Sequence, residues 1–363
     1  MRNDVTRLLR LVIGLVALAG LVAAGLCGGT LSQAAEAVHL NFLIPEGPGQ
    51  DVASRAAVAV YEKEHPNVTV TIVAGSNANY YPKMLAAMQT TPDQPLFNMA
   101  YINAPTWPKG YAADMWLPID TARAPNVLHV LKPYRRPQDK GAGVGIVLIG
   151  LLYNQNYVKT PPTSWTDLWA NPTFKHKVVL FDYLWEYNGL VMAARLNGGS
   201  ETNIEPGIRV WSQHTDQIRA LITSTDQMQN LLQTGDAWLT AWPKANQAVW
   251  AKQGLPFAFA VPREGAIAFP LYLTVVKGSS PVQVRAAQDI INLLLSSYYQ
   301  GLYAASSYTS PVSDEVRVPA ALANDPAFSQ GVLSKAILLD EAAIASNTAN
   351  YTRLWNAQVK SKL

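Results

Sequence analysis

Gly141-Ala-Gly-Val-Gly-Ile-Val-Leu-Ile-Gly-Leu-Leu-Tyr-Asn154 contains no charged residue and is dense in β-branched and aliphatic side chains. It reads as a buried strand, long enough to pass from one structural unit into another. A second apolar passage, Phe257 to Val276, is interrupted by Arg263-Glu264-Gly265. Two extended passages that join α/β stretches mean that the chain leaves a first lobe, builds a second, and returns. Such a path makes a hinge with a cleft. The expected division is a first lobe of residues 38–145 plus 277–363, a second of 150–260, and crossover segments at 144–154 and 257–276.

Strands and helices alternate on both sides of the first passage. Val38-His-Leu-Asn-Phe-Leu-Ile44 has the pattern of a strand entering a sheet, and Pro45-Glu-Gly-Pro-Gly49 breaks it. A helix is expected from Asp51, its N-cap, to His65, because Val52, Ala56, Ala59 and Val60 recur at helical spacing and Pro66 forbids continuation. Asn67 to Val73 then returns to strand, so the unit is β-α-β with a right-handed crossover. A helix from Tyr81 to Thr90 and a strand from Leu96 to Ile102 repeat the pattern. Beyond Asn154 the expected elements are a short helix at Trp165–Ala170, a strand at Lys177–Phe181, and helices at 184–196, 204–214 and 226–234. Helical patterns also cover 282–305 and 327–362. Alternation of this kind means α/β layers.

The N-terminus bears on where the protein works. Arg2, Arg7 and Arg10 precede an uncharged run from Leu11 to Leu26, and Ala35-Glu-Ala37 supplies a small-x-small cleavage pattern. That run is shorter than the roughly 20 residues needed to span a bilayer, so residues 1–37 read as a cleaved export signal and Val38 as the mature start. The expected location is therefore the periplasm. Cys27, the single cysteine, would be a lipidation site only if Leu26 were tolerated where lipoprotein signals place a small residue. If Cys27 leaves with the signal, the mature chain has no disulfide and no thiolate metal site. A formal net charge of +3 over 363 residues favours no polyanionic partner. Lys132, Arg135 and Arg136, set among Pro133 and Pro137, read as a solvated loop, and no nucleic-acid binding is expected.

Motifs for covalent chemistry are missing. There is no Gly-x-Ser-x-Gly elbow, no His-Glu-x-x-His and no Gly-x-x-x-x-Gly-Lys. Gly141, Gly143 and Gly145 lack the spacing of a dinucleotide loop and lead into a strand. The five histidines stand far apart, so no metal and no cofactor is expected. Tyr80-Tyr81 and Tyr298-Tyr299 raise a ferric-ion site, but Tyr298 and Tyr299 are helical neighbours that project about 100° apart and serve packing better, while Tyr80-Tyr81, before Pro82 at a helix start, reads as a candidate cleft wall rather than a chelate. Several of the ten tryptophans stand at turns, as in Trp185-Glu186-Tyr187 and Trp242-Pro243, where flat rings can wall a cleft for a small organic ligand.

Three further stretches carry a family resemblance. Leu151-Leu-Tyr-Asn154 leads into Lys159-Thr-Pro-Pro-Thr-Ser-Trp-Thr-Asp-Leu-Trp169 and then Pro172-Thr-Phe-Lys-His-Lys-Val-Val-Leu-Phe-Asp182. Val261-Pro-Arg-Glu-Gly265 and Tyr308-Thr-Ser-Pro-Val312 follow in order. Together they resemble exported solute-binding proteins of ABC importers, in the branch of the spermidine/putrescine binders and their iron, thiamine, phosphonate and opine relatives. The resemblance implies a two-lobed type II periplasmic-binding-protein fold, α/β in both lobes, with two crossover hinge strands. It also implies a non-enzymatic receptor that captures a small organic solute and passes it to a membrane permease and its ATPase.

Carried over position by position, the resemblance places ligand contacts in the loop Glu46–Asp51, at Asn103–Thr106, at Glu186 with Asp182 nearby, and at Trp242 as an aromatic platform. The loop leaves the choice between Glu46 and Asp51 open, and Trp242 requires a one-residue shift. Where polyamine binders resemble Glu-Gly-x-x-x-Trp-x-Asp, this chain has Glu264-Gly-Ala-Ile-Ala-Phe269-Pro-Leu271. Leu271 cannot anchor an ammonium, and losing a charge-assisted contact removes roughly 1.5–3 kcal/mol. The expected ligand thus has one amine and an apolar portion against Phe269 and Leu271. An exported α/β enzyme using carboxylate acid–base pairs, and a ferric-ion receptor, stand as alternatives.

Overall fold

The long passage is one unbroken strand. The computed structural model describes residues 36–182 and 184–363, and the export-signal reading falls on residues outside these, apart from Glu36 and Ala37. Strands are numbered along the chain: β1 (Val38–Ile44), β2 (Val68–Ala74), β3 (Met99–Asn103), β4 (Trp116–Leu117), β5 (Ala142–Asn154), β6 (Val178–Phe181), β7 (Ile218–Ile222), β8 (Leu239–Pro243), β9 (Phe257–Ala260), β10 (Ile267–Val276) and β11 (Ile337–Leu338). They form one sheet in the order β2-β1-β3-β10-β5-β8-β6-β7, with β4 and β11 on β10 and β9 on β5.

β1 runs parallel to β2 and β3, and β6 runs parallel to β7 and β8. Between these two parallel sets lie β10 and β5, antiparallel to each other and to their outer neighbours β3 and β8. The halves of β5 have different partners: residues 142–149 face β10, while Ile149–Tyr153 pair with β8. All but Val147 of its residues are buried, which explains a strand apolar on both faces. At Gly150 a Cβ would stand 2.6 Å from the ring of Phe259 and 2.8 Å from Ala260 O, so a side chain there would push β9 off the strand. This is the two-lobed α/β fold with two crossover strands that the sequence implied.

The apolar interior divides along the same line. One cluster gathers Leu40, Phe42, Tyr101, Val144, Ile290 and Tyr303, and another gathers Leu151, Trp165, Leu180, Trp211 and Leu239. The helices of the first half are α1 (Val52–Glu64), α2 (Asn77–Thr90) and α3 (Trp107–Ala112). The second half holds α4 (Leu190–Leu196), α5 (Glu205–Gln213), α6 (Thr225–Thr234) and α7 (Lys244–Lys252). The return carries α8 (Pro281–Leu294), α9 (Ser297–Ser307), α10 (Gln330–Leu333) and α11 (Glu341–Gln358).

Several boundaries differ from the sequence reading. Asp51 stands at the N-cap position of α1 but makes no capping bond; it pairs instead with Arg55, one turn on, at 2.6 Å. The helix expected from residue 81 begins at Asn77, capped by Ser76, and holds Pro82 within it. The helix expected over 184–196 starts only at Leu190, after Gly189 at φ +73°. The pattern over 282–305 is two helices, broken at Ser296. The helical pattern expected over 327–362 is interrupted because Ile337–Leu338 add to the edge of β10, with Ile337 N–H donating to Ala266 O at 2.8 Å. Tertiary pairing overrides local helix preference there.

The family-like stretches meet in space. Ser164 closes a capping box with Asp167 and places its Oγ 2.6 Å from Glu264 Oε1, and the Trp165 indole donates to Gly265 O at 2.8 Å. Arg263 N–H donates to Thr163 O at 2.8 Å. The motif therefore joins the second lobe to the returning crossover. Ser310, in the third stretch, exchanges both backbone hydrogen bonds with Ile146 of β5, at 2.8 and 2.9 Å.

Candidate functional site

Three parallel strands end at one place. After β1 comes Pro45, after β2 Gly75, and β3 itself ends at Asn103; the carboxyl ends of parallel strands are where open α/β sheets bind ligands. These ends open into a cavity of about 210 Å³. Its first side is made by Glu46, Gln50, Ser76, Asn77 and Asn103, over the ring of Tyr101. Its other side comes from the crossovers, through Val147 of β5 and Phe269 and Leu271 of β10, and from Tyr187 in the second half.

The polar groups are held in place by the fold. Asn77 Nδ2 donates to Tyr101 O at 3.0 Å, and its Oδ1 accepts the Asn103 N–H at 2.7 Å. Asn103 Oδ1 in turn accepts the Thr106 N–H at 3.1 Å. Gln50 Oε1 accepts from the Tyr303 hydroxyl. The preceding Gly49 has φ +74°, and a Cβ on it would lie 1.9 Å from Ser306 O, so only glycine lets the loop close onto α9. Among the described residues that line the cavity Glu46 alone is charged, and it is exposed. On the same side, the N-terminal turn of α2 at Ser76–Asn77 supplies partial positive charge. Phe269 and Tyr187 meet edge to face, with centroids 5.6 Å apart.

Four of the residues expected from the sequence converge here: Glu46, Asn103, Phe269 and Leu271. The others stand elsewhere. Asp51 is the ion-pair partner of Arg55. Thr106 is buried at the start of α3, with its N–H held by Asn103. Asp182 is buried with its Oδ2 2.6 Å from Lys360 Nζ. Trp242 is packed in the core of the second half, stacked on Phe181 at 5.6 Å and meeting Tyr187 edge-on at 5.7 Å, so it backs the cavity wall rather than forming it. Sequence reasoning missed Gln50, Asn77, Tyr101 and Tyr187; their place after or within the first-lobe strands, and next to Glu186, was the available signal. Tyr298 is exposed and Tyr299 buried, and neither Tyr80 nor Tyr81 lines this cavity. Among the described residues no group of three His, Cys, Asp or Glu side chains is placed to hold a metal ion.

Glu186 faces the opposite direction, towards Glu341 at the start of α11. Burial raises both carboxyls above their ordinary range, and the charge of Glu186 raises Glu341 further. Two buried carboxyls this close hold on to a proton. Glu341 borders a second and larger cavity, of about 620 Å³, on the other face of β10. Strand alternation produces the pair: Phe269 and Leu271 look into the smaller cavity, Pro270 and Tyr272 into the larger.

The sequence matches the bacterial extracellular solute-binding protein family over residues 56–330. The chain belongs to that family. None of the curated proteins matches it. Among solved structures, this solute-binding protein is similar to an ABC transporter protein from Clostridium perfringens, at 18% identity and TM-score 0.74, covering 88% of this chain and 99% of the other. It is also similar to the spermidine/putrescine ABC transporter substrate-binding protein PotD from Streptococcus pneumoniae, at 18% identity and TM-score 0.73, covering 89% and 99%. Iron-bound HitA from Pseudomonas aeruginosa follows at 15% identity and TM-score 0.68, covering 87% and 98%. These likenesses establish the fold. The smaller cavity carries the functional reading although the other is larger, because the strand ends and the family-like residues converge on it.

Proposed function

We propose that this chain is the substrate-binding component of an ABC importer, taking a small organic solute that contains an amine into the 210 Å³ cavity and delivering it to a membrane permease with its ATPase. The observation that carries the reading is the meeting, in one cavity, of the carboxyl ends of β1, β2 and β3 with side chains from both crossover strands. A ligand held there touches both halves of the molecule and so stabilises the closed form, which is the form a permease can recognise. Glu46 takes the amine. The amide and hydroxyl groups of Asn77, Asn103 and Ser76, with the α2 N-terminus, suit a polar or carboxylate end. Phe269, Leu271 and Tyr187 suit an apolar portion. This points to an amino-acid derivative or opine-like solute more than to a long polyamine, since Leu271 offers a second ammonium no partner.

The lobes in this proposal are residues 38–145 with the return through α8 and α9, and 150–260 with α11 added. The addition follows from packing, because Ile344, Tyr351, Leu354 and Trp355 of α11 lie in the second apolar cluster. No helix among the described residues is long and apolar enough to cross a membrane. With residues 1–37 as an export signal, the receptor works in the periplasm, on the side from which solute arrives.

Native mass spectrometry of the purified protein tests the reading. A bound small molecule that contains an amine and is recovered chemically unchanged supports it. A molecule that the protein converts during incubation, or a bound solute without any amine, overturns it.

A further inference from the structure

The amide oxygens on the first side of the smaller cavity are already taken. Asn103 Oδ1 accepts the Thr106 N–H at 3.1 Å, and a backbone N–H can only donate, so the oxygen end of this side chain is fixed and Nδ2 is the end left over. Asn77 Oδ1 accepts the Asn103 N–H at 2.7 Å. Gln50 Oε1 accepts from the hydroxyl of Tyr303, a residue of α9 that is 1% exposed and does not line the cavity. Burial raises the Tyr303 phenol far above its ordinary range, which keeps its proton on and keeps it a donor. Ser76 Oγ accepts the Asn79 N–H at 3.3 Å.

What remains for a solute is a set of donors. Gln50 Nε2 and Asn103 Nδ2 have no partner among the described residues, and both half-buried side chains line the cavity. The hydroxyl proton of Ser76, whose oxygen is occupied, is a third. Counting lone pairs selects what three donors can hold. A carboxylate has about four acceptor sites and no donor, a phosphonate has more, a hydroxyl has two and brings a donor of its own, and an ammonium has none. Hydrogen bonds to a charged oxygen are also about twice as strong as neutral ones. A diamine therefore fails against this wall for a reason separate from Leu271.

We propose that Tyr303 is a positioning residue for the solute: by holding Gln50 Oε1 it turns Gln50 Nε2 into the cavity, where Nε2, Asn103 Nδ2 and the Ser76 hydroxyl grip an oxyanion, a carboxylate or phosphonate. This deepens the reading of the cavity as the solute site and rests on it; the amine at Glu46 is the other end of the same solute.

Titration calorimetry with matched short probes tests it. The set is 4-aminobutanoate, 3-aminopropylphosphonate, 4-aminobutanol and 1,4-diaminobutane, with plain butanoate beside them, and the homologues of each that are one and two carbons longer. The better oxyanion series should bind at least about tenfold more tightly than the alcohols and diamines of the same length, and which of the two series that is names the oxyanion. Gln50→Glu keeps the shape and exchanges the donor for an acceptor, so it should reverse that order in favour of the diamines. Tyr303→Phe should cut the preference for oxyanion over alcohol by about fivefold or more, because Gln50 is then free to turn its oxygen inward. A residue that only supports the fold would weaken every probe alike, and that result in Tyr303→Phe overturns the positioning role. Alcohols or diamines that bind as tightly as the oxyanions, or no heat from any oxyanion probe at millimolar concentration, overturn the oxyanion grip. Plain alkanoates that bind as tightly as the amino carboxylates would support the grip while removing the amine at Glu46, so the two readings fail separately.

Discussion

In the proposed site Glu46 is the charge that would hold the amine, and it is exposed, so the fold does not lean on it. Glu46→Gln should weaken binding of the recovered solute by about 1.5–3 kcal/mol, roughly tenfold or more, with an unchanged melting temperature; calorimetry and thermal unfolding together check it. Trp242 behaves in the opposite way. Being 2% exposed and packed on Phe181 and Tyr187, Trp242→Ala should destabilise the ligand-free protein by about 3–5 kcal/mol, which a denaturant titration would show. The reason Trp242 was expected in the cleft is instructive. The family resemblance needed a one-residue shift at this strand, and in a strand one residue is the difference between its two faces. Asp182 was misplaced for another reason: its partner Lys360 lies at the far end of the chain, a contact that no local pattern reveals. Glu46, Phe269 and Leu271, carried over from the family resemblance, do line the cavity, because each stands at a strand end or on a crossover where that resemblance needs no shift.

A third test at this scale concerns Glu341. Its pKa in the folded protein is raised well above the usual 4.5 by burial, by Glu186 and Glu201, with Arg136 opposing. A carboxyl with a raised folded pKa binds more protons in the native state than in the unfolded one. Stability from it is full below about pH 4.5 and falls as pH rises from there towards the folded pKa. Glu341→Gln should therefore raise the melting temperature more at pH 8 than at pH 5. An equal change at both pH values would show that the carboxyl is not held in its protonated form.

At the scale of elements, the first-lobe loop between β1 and α1 is fixed by its contact with α9. Gly49 allows that contact through its positive φ, and Ser306 Oγ donates to Gly49 O at 2.8 Å. Gly49→Ala should displace the loop that carries Glu46 and Gln50, weakening solute binding by more than about tenfold while the sheet remains intact by circular dichroism. Elements were read best where period and composition agreed, as in β1, α1 and β5. They were read worst after Phe328, where Ile337–Leu338 are drawn onto β10 by an edge that only the folded sheet presents. The motif Thr163-Ser164-Trp165, noticed as a family mark, proves to be a structural joint to Glu264 and Gly265.

For the whole molecule, the two halves of the core share β5 and β10, whose residues enter both apolar clusters. Neither half can lose those strands alone. Thermal unfolding of residues 38–363 should accordingly show one calorimetric transition, shifted upward by bound solute by about 2.7 kcal/mol of stabilisation at a hundredfold excess over Kd. Two resolved transitions in calorimetry would show that the lobes melt separately.

The alternation along β10 has a genetic consequence. Phe269 and Leu271 face one cavity, and Pro270 and Tyr272 face the other. A single inserted codon just before Phe269 would advance the downstream residues by one and exchange the walls of both cavities at once, so insertions and deletions in this segment should be purged far more strictly than substitutions of the same residues.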